Sequence, residues 1–113
     1  MITLENAARA LEAKTVFAST DFASCNVGYV VACDLMSDVL VVDVDDILLV
    51  TSLVSRQSLK TAHLVGAVAI CFVNNKTIPD ELLSLATELD LSVIQTPLDK
   101  FTACVALGKA LQL

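Results

Sequence analysis

Three basic side chains are spaced so that one helix would present them on a single face. Arg56, Lys60 and His63 lie at positions i, i+4 and i+7 of a segment whose apolar residues also recur with helical spacing. Such a stripe could receive an anion, for example the phosphate of a nucleotide. It could also be the solvent-exposed face of an amphipathic helix, which is the commoner case and the interpretation we favour. The anion site is therefore the alternative hypothesis for this stripe.

Two carboxylates form a second candidate for chemistry. Asp34 and Asp38 are four residues apart in the segment 34–39, which favours a short helix. On a helix they would share one face, where they could hold a cation or transfer protons. We favour the interpretation that Asp34 caps the helix and Asp38 is solvated. A second acidic run, at 43–46, lacks the ligand spacing and glycine of a calcium loop and is interpreted as a solvated turn.

The remaining reactive side chains do not form a recognisable catalytic or metal-binding pattern. The cysteines, Cys25, Cys33, Cys71 and Cys104, show no CxxC spacing, and a single histidine cannot complete a local Cys/His zinc set. Three glycines are too few and too scattered for a phosphate-binding loop. We therefore expect reduced thiols, no metal, no cofactor and no enzymatic activity.

Composition indicates what kind of domain carries these side chains. The 113 residues match one domain, 1–113, and 56% of them are hydrophobic. With four Phe, one Tyr and no Trp, the apolar content is mostly Val, Leu and Ala, which suits strands buried on both faces. An apolar excess also predicts surface for a partner subunit, so we expect a homo-oligomer and most simply a dimer.

Charge and hydropathy exclude two classes of partner. Thirteen acidic and seven basic residues give a net charge of −6, the opposite of what a nucleic-acid backbone requires. The longest apolar run, 64–73, is far shorter than the ~20 residues of a membrane span. The first residues lack the apolar stretch of a signal peptide. The sequence thus predicts a cytoplasmic protein that binds neither nucleic acid nor membrane.

Strand and helix signals alternate from residue 47 to residue 102. Strands are predicted at 47–51, 68–73 and 91–95, with helices at 55–65, from Pro79 onward, and after Thr96. Thr96 is predicted to cap the last helix, with Pro97 at its first position. Its buried side is expected to comprise Leu98, Phe101, Val105 and Gly108. The fold class predicted is α/β, a single domain with a mostly parallel central sheet and flanking helices.

The turn after the central strand is where a site would be expected. Asn74 and Asn75 follow the apolar strand 68–73, and asparagine can adopt the positive φ that such a turn requires. Ligands of open α/β sheets bind outside the carboxyl ends of the strands. This turn is therefore predicted to be part of any binding site.

Several of these pieces together resemble a DRTGG-domain protein. The order and spacing of segment 34–39, the helix from Arg56, the turn Val73-Asn74-Asn75, the helix start at Pro79 and the segment 96–101 carry the resemblance. It is strongest to the short stand-alone members, which resemble only the amino-terminal domain of HPr kinase and not its kinase domain. The resemblance implies the α/β fold of that domain and an accessory or regulatory role, as in CBS-domain pyrophosphatases.

The chain departs from the two short motifs that give this family its name. The Asp-Arg pair corresponds to Ser55-Arg56, and the Thr-Gly-Gly turn corresponds to Val73-Asn74-Asn75. An asparagine side chain fills space near the backbone that glycine leaves open. If the family turn admits a ligand, weaker binding is expected here.

Two functional hypotheses follow from the residues and the resemblance. The first is a non-catalytic regulatory or protein-interaction module, working as a homodimer with a protein partner and accessory to a metabolic or redox enzyme. The alternative is a sensing domain for an adenine nucleotide or another anion. Its candidate ligand-binding residues are Arg56, Lys60, His63, Asn74, Asn75 and Thr96.

Overall fold

A five-stranded sheet forms the middle layer of the computed structural model, which describes residues 1–113. The elements in chain order are β1 (Ile2–Thr3), α1 (Leu4–Ala10), β2 (Lys14–Phe17), a 3-10 turn (Phe22–Ser24), β3 (Asn26–Val27), β4 (Tyr29–Ala32), α2 (Met36–Val39), β5 (Ile47–Thr51), α3 (Arg56–Leu64), β6 (Ala69–Phe72), α4 (Asp80–Leu89), β7 (Ser92–Gln95) and α5 (Lys100–Ala110). The strand order is β2-β7-β6-β5-β4, and β1 pairs separately with β3. The predicted α/β architecture is confirmed.

Most of the central sheet is parallel, as the sequence predicts. Strands β4, β5, β6 and β7 run in the same direction, and β2 joins β7 antiparallel at one edge. Every residue of β5 and of β6 is buried. Their continuous apolar sequences reflect this position, because crossover helices cover both faces of a parallel sheet.

Two separate cores lie on the two faces of the sheet, because successive strand residues point to opposite sides. Leu48 and Val50 of β5 pack with helices α1 and α5. Leu49 of β5, together with Ile70 and Phe72 of β6, packs with helices α2, α3 and α4. The molecule is thus a three-layer α/β/α sandwich in which α5 lies on the face opposite the three crossover helices.

The change of face after β7 marks a particular place at the carboxyl end of the sheet. Strands β6 and β7 are neighbours, yet the chain after β6 turns to one face and the chain after β7 turns to the other. In open α/β sheets, a crevice between two such diverging connections is where ligands bind. A binding site is therefore expected between the connections that follow β6 and β7.

The last helix differs from its sequence-based description. It begins at Lys100 and is capped by Asp99, whose carboxylate accepts a hydrogen bond from the backbone N–H of Thr102 at 2.7 Å. The predicted cap at Thr96 is wrong, and the start of the helix lies three residues beyond Pro97. Leu98 therefore lies before the helix, whereas Phe101, Val105 and Gly108 lie within it.

The buried side of α5 is small, and its larger apolar side chains are exposed. Ala103 and Leu107 are buried, whereas Phe101 is 79% exposed and Val105 is 40% exposed. The prediction that Phe101 and Val105 face the core is wrong. A helix that is apolar all round is normally buried on more than one side. Helix α5 thus leaves apolar surface toward solvent, over the edge strand β4 that it contacts.

Candidate functional site

Polar side chains gather where the four parallel strands end. Asp34 follows β4, Thr51 ends β5 and is followed by Ser52, Asn74 and Asn75 follow β6, and Thr96 follows β7. Parallel strands end at one edge of their sheet, so these residues meet although they are distant in sequence. We refer to this set of connections as the carboxyl edge.

The carboxylate of Asp34 is the centre of the hydrogen-bond network at this edge. Its Oδ1 accepts from the hydroxyl of Thr51 and from the backbone N–H of Ser52, both at 2.8 Å. Its Oδ2 accepts from the hydroxyl of Ser52 at 2.8 Å and from the ammonium of Lys100 at 2.5 Å. The carboxylate therefore connects the end of β4 with β5, with the β5–α3 connection and with the start of α5.

Asp34 does not have the role that its position in sequence indicates. The cap residue of α2 is Leu35, and no side chain caps this helix. Because Asp34 lies outside α2, it does not share a helical face with Asp38. The favoured interpretation of Asp34 as a helix cap is wrong, since its side chain turns to β5 and α5 instead.

The environment of Asp34 keeps its side chain ionised. Partial burial acts to raise the pKa of this carboxyl, but the hydrogen bonds from Lys100, Ser52 and Thr51 together outweigh burial and hold the pKa well below its usual range. A carboxylate with four donors is a poor proton acceptor near neutral pH. Its contacts are those of a group that fixes structure.

Lys76 contributes a second ammonium group to the same place. Its Nζ donates to the backbone carbonyl of Ser52 at 2.7 Å. Lys100 and Lys76 thus approach the Asp34–Ser52 unit from the connections that follow β7 and β6. Arg56 begins α3 four residues after Ser52 and is exposed. The chain has a net charge of −6 and seven Lys and Arg residues. Three of these seven, Arg56, Lys76 and Lys100, lie along the carboxyl edge.

The two diverging connections after β6 and β7 are hydrogen-bonded to each other. The backbone N–H of Asn74 donates to the carbonyl of Leu98 at 2.8 Å, and that of Asn75 donates to the carbonyl of Thr96 at 2.9 Å. Both asparagines have positive φ, 68° and 54°. The turn predicted from sequence is confirmed, and its N–H groups are used within the fold. The crevice expected at this point is bridged by the backbone itself.

Thr96 is a buried structural residue. It has no solvent exposure, and its hydroxyl donates to the carbonyl of Leu11 at 2.6 Å while accepting from the N–H of Leu98 at 3.1 Å. This one hydroxyl ties the end of α1 to the connection after β7. A ligand at the surface could not reach it without opening that connection.

The basic stripe lies on an exposed face of α3. Arg56, Lys60 and His63 are all exposed, whereas Leu59 and Ala62 of the same helix are fully buried. Lys60 and His63 lie about 6 and 10 Å along the helix axis from Arg56, at 1.5 Å per residue. Arg56 is thus the member of the stripe placed at the carboxyl edge.

Sequence reasoning did not find the roles of Ser52, Lys76 and Lys100. Ser52 directly follows a parallel strand, Lys76 lies in the connection after one, and Lys100 begins a helix. Those positions are the signal that could have identified them. That signal becomes specific only when the strand order is known, because Lys100 and Asp34 are 66 residues apart.

A shallow cavity of about 320 Å³ lies beside the carboxyl edge, at the β2 side of the sheet. Its lining residues come from β2, from the end of β7, from the connection that leads into α4 and from α4 itself. They are Lys14, Val16, Thr77, Ile78, Leu83 and Gln95. The cavity does not include Asp34, but Gln95 donates from its side-chain amide to the backbone carbonyl of Lys76. Lys76 therefore separates the cavity from the Asp34 network.

The cysteines and the acidic residues do not converge on a metal site. No group of three or more His, Cys, Asp or Glu side chains is placed to hold an ion, and all four cysteines are free thiols. Burial, with a smaller effect from Cys104, raises the pKa of the Cys71 thiol to about 12. None of the helices combines the length and the apolar character needed to cross a bilayer.

Comparison with known proteins identifies a solved structure with a similar fold. No protein-family model matches the sequence, and no curated protein matches it. Among solved structures, the chain is similar to the CBS and DRTGG domains of the regulatory region of Clostridium perfringens pyrophosphatase, in complex with its activator diadenosine tetraphosphate. The TM-score is 0.73 at 19% sequence identity, over 93% of this chain and 45% of that one. The chain has a DRTGG-like fold.

Both positions at which the chain departs from the family motifs have local backbone roles in this structure. At the position of the motif aspartate, the hydroxyl of Ser55 caps α3 by accepting from the N–H of Ser58 at 3.1 Å. Serine and aspartate are both favoured caps. At the glycine positions of the motif, Asn74 and Asn75 take the positive φ that glycine adopts freely. Ser55 thus caps a helix and the two asparagines form a turn in this chain.

Acid unfolding tests the role of Asp34. Its folded pKa lies below the unfolded value of about 3.9, so its contribution is full well above that pH and is lost as the pH falls toward the folded pKa. We predict that the free energy of unfolding decreases between pH 7 and pH 3 by about 1 kcal/mol less in Asp34→Asn than in the natural chain. This figure is at the low end for a hydrogen-bonded carboxylate, because the side chain is 44% exposed.

The measurement is urea unfolding at both pH values for the natural chain and for the variant. Asp38→Asn is the matched control, since Asp38 is an exposed carboxylate of the neighbouring helix α2. An equal pH dependence in the natural chain and in Asp34→Asn would contradict the assigned role.

Proposed function

We propose that this chain is a non-catalytic regulatory or protein-interaction module that acts as a homodimer and is accessory to a metabolic or redox enzyme. The observation that carries the proposal is the similarity of 93% of the chain to part of a regulatory region of a pyrophosphatase. The chain spans less than half of that solved chain. A module of this size is suited to act through association, with itself or with a larger protein.

The distribution of polar groups at the carboxyl edge supports a non-catalytic role. Asp34, Thr96 and the N–H groups of Asn74 and Asn75 are used in hydrogen bonds within the chain. General acid–base catalysis needs a group that exchanges its proton near the working pH and lies within reach of substrate. The hydrogen-bonded Asp34 has a pKa well below neutral and so does not meet that need.

The exposed side of α5 supports self-association. Phe101 and Val105 project apolar surface from a helix that covers the edge strand β4, and Tyr29 at the start of β4 is 49% exposed. An exposed sheet edge offers unpaired backbone groups, and apolar patches beside it mark association surfaces. A two-fold axis would bring two copies of this surface together.

Mass measurement in solution tests the homodimer. At micromolar concentration we predict a mass of twice the 12.0 kDa chain in sedimentation or light-scattering experiments. Phe101→Ser should shift the equilibrium toward the monomer, because it removes an exposed aromatic side chain from the proposed interface. Leu64→Ser is the control, since Leu64 is 74% exposed on α3, in the opposite layer. A strictly monomeric natural chain would rule out this part of the proposal.

A second candidate function is the sensing of an adenine nucleotide or another anion. The pyrophosphatase region was solved with diadenosine tetraphosphate, and this chain places Arg56, Lys76 and Lys100 along its carboxyl edge. The exposed side chains of Asn74 and Asn75 would lie beside a phosphate bound there. Further along α3, Lys60 and His63 would extend the positive surface. In such a complex the phosphate would compete with Asp34 for the ammonium of Lys100.

Thermal-shift measurements with phosphate, AMP, ATP and diadenosine tetraphosphate test the second candidate. A ligand present at about 100 times its dissociation constant should add roughly 2.7 kcal/mol of stability. Lys76→Met should weaken that effect, while Lys109→Met, at the far end of α5, should not. A melting temperature that none of these compounds changes would refute nucleotide sensing and leave the dimer proposal intact.

A further inference from the structure

The cavity between β2, β7 and the start of α4 has a polar side and an apolar side. Val16, Ile78 and Leu83 supply partly exposed apolar surface. Lys14, Thr77 and Gln95 supply an ammonium, a hydroxyl and an amide. Ligand pockets are typically apolar with a few convergent polar groups and have volumes of about 300–1,000 Å³. At about 320 Å³, this cavity suits a small molecule.

Sheet register brings the two most informative polar groups together. Lys14 and Gln95 are directly paired residues of the antiparallel strands β2 and β7. Directly opposed residues in a ladder project from the same face with closely spaced side chains. Here that face is the one covered by α4, because Val93, two residues before Gln95 along β7, packs in the core on that side. The ammonium and the amide thus belong to one wall of the cavity.

The polar groups of this wall have capacity left for a ligand. The two ion pairs of the chain are Arg9–Glu5 and Lys100–Asp34, so the charge of Lys14 is not neutralised by a carboxylate. Gln95 uses its side-chain N–H on the carbonyl of Lys76, which fixes the amide and leaves its oxygen as an acceptor. The hydroxyl of Thr77 is exposed on the loop before α4.

The charged side chains around the cavity favour a ligand that carries a single negative charge. One ammonium lines it, and the exposed carboxylates of Asp80 and Glu81 lie in the first turn of α4, between Ile78 and Leu83 in sequence. These carboxylates do not line the cavity, but they disfavour a multiply charged anion nearby. Lysine acts as a point charge and needs no bidentate partner. The apolar wall requires that the ligand also carry a hydrocarbon part.

We propose that this cavity binds a small carboxylic acid with a short apolar chain, with the carboxylate at Lys14 and the chain against Val16, Ile78 and Leu83. The hydroxyl of Thr77 donates to the second carboxylate oxygen. A hydroxyl or amino group on the ligand donates to the free oxygen of Gln95. This site goes beyond the proposed function and is separate from the basic residues of the carboxyl edge.

An NMR titration of the full chain with labelled methyl groups tests the site, with butyrate as the probe. Saturable shifts are expected at the methyl groups of Val16, Ile78 and Leu83, with a dissociation constant on the order of 1 mM for so small a ligand. Inorganic phosphate, an anion without an apolar part, should leave these signals unchanged. Butanol, which has the chain without the charge, should shift them only weakly.

Two lysine variants test whether butyrate binding depends on the charge of Lys14. Lys14→Met should weaken butyrate binding about tenfold, since a hydrogen bond to a charged group is lost. Lys109→Met, another exposed lysine, should bind as the natural chain does. The proposal is overturned if butyrate gives no saturable shift, if phosphate or butanol shifts the same methyl groups equally, or if Lys14→Met binds butyrate with unchanged affinity. These outcomes do not depend on whether the chain dimerises or binds nucleotides at the carboxyl edge.

Discussion

The carboxylate of Asp34 is the contact on which the arrangement of the carboxyl edge depends. It receives hydrogen bonds from Thr51, Ser52 and Lys100. It thereby joins the end of the edge strand β4 to the central strand β5 and to the start of helix α5. These hydrogen bonds add a polar link to the apolar packing of Ala103 and Leu107 that holds α5 on the sheet. Together with the backbone hydrogen bonds of Asn74 and Asn75, this carboxylate connects the two helical layers at the carboxyl end of the sheet.

The connections after β6 and β7 are also held together by hydrogen bonds within the chain. In many α/β proteins their divergence opens a crevice for ligand, but here the Asn74-Asn75 turn and the segment around Thr96 are hydrogen-bonded together. The polar groups that would line such a crevice are engaged with one another. The surfaces left for function are therefore the basic groups along this edge, the exposed side of α5 and the cavity beside β2.

Much of the fold follows from local sequence signals, whereas the roles of individual polar residues do not. The bounds of β5, those of α3 to within one residue and the positive φ of Asn74 and Asn75 could all be predicted, because each depends on neighbouring residues. Asp34 and Thr96 were misassigned as helix caps. Their partners lie as far as 66 and 85 residues away, so local patterns carry no information about them.

Hydrogen exchange at the turn after β6 measures the closure of the carboxyl edge most directly. The N–H groups of Asn74 and Asn75 donate to the carbonyls of Leu98 and Thr96, so their exchange should be slowed to nearly the same degree as that of the β6 amides. Exchange at the rate of an open loop, with β6 still protected, would contradict the account. It would mean that the edge is an accessible crevice and not a closed one.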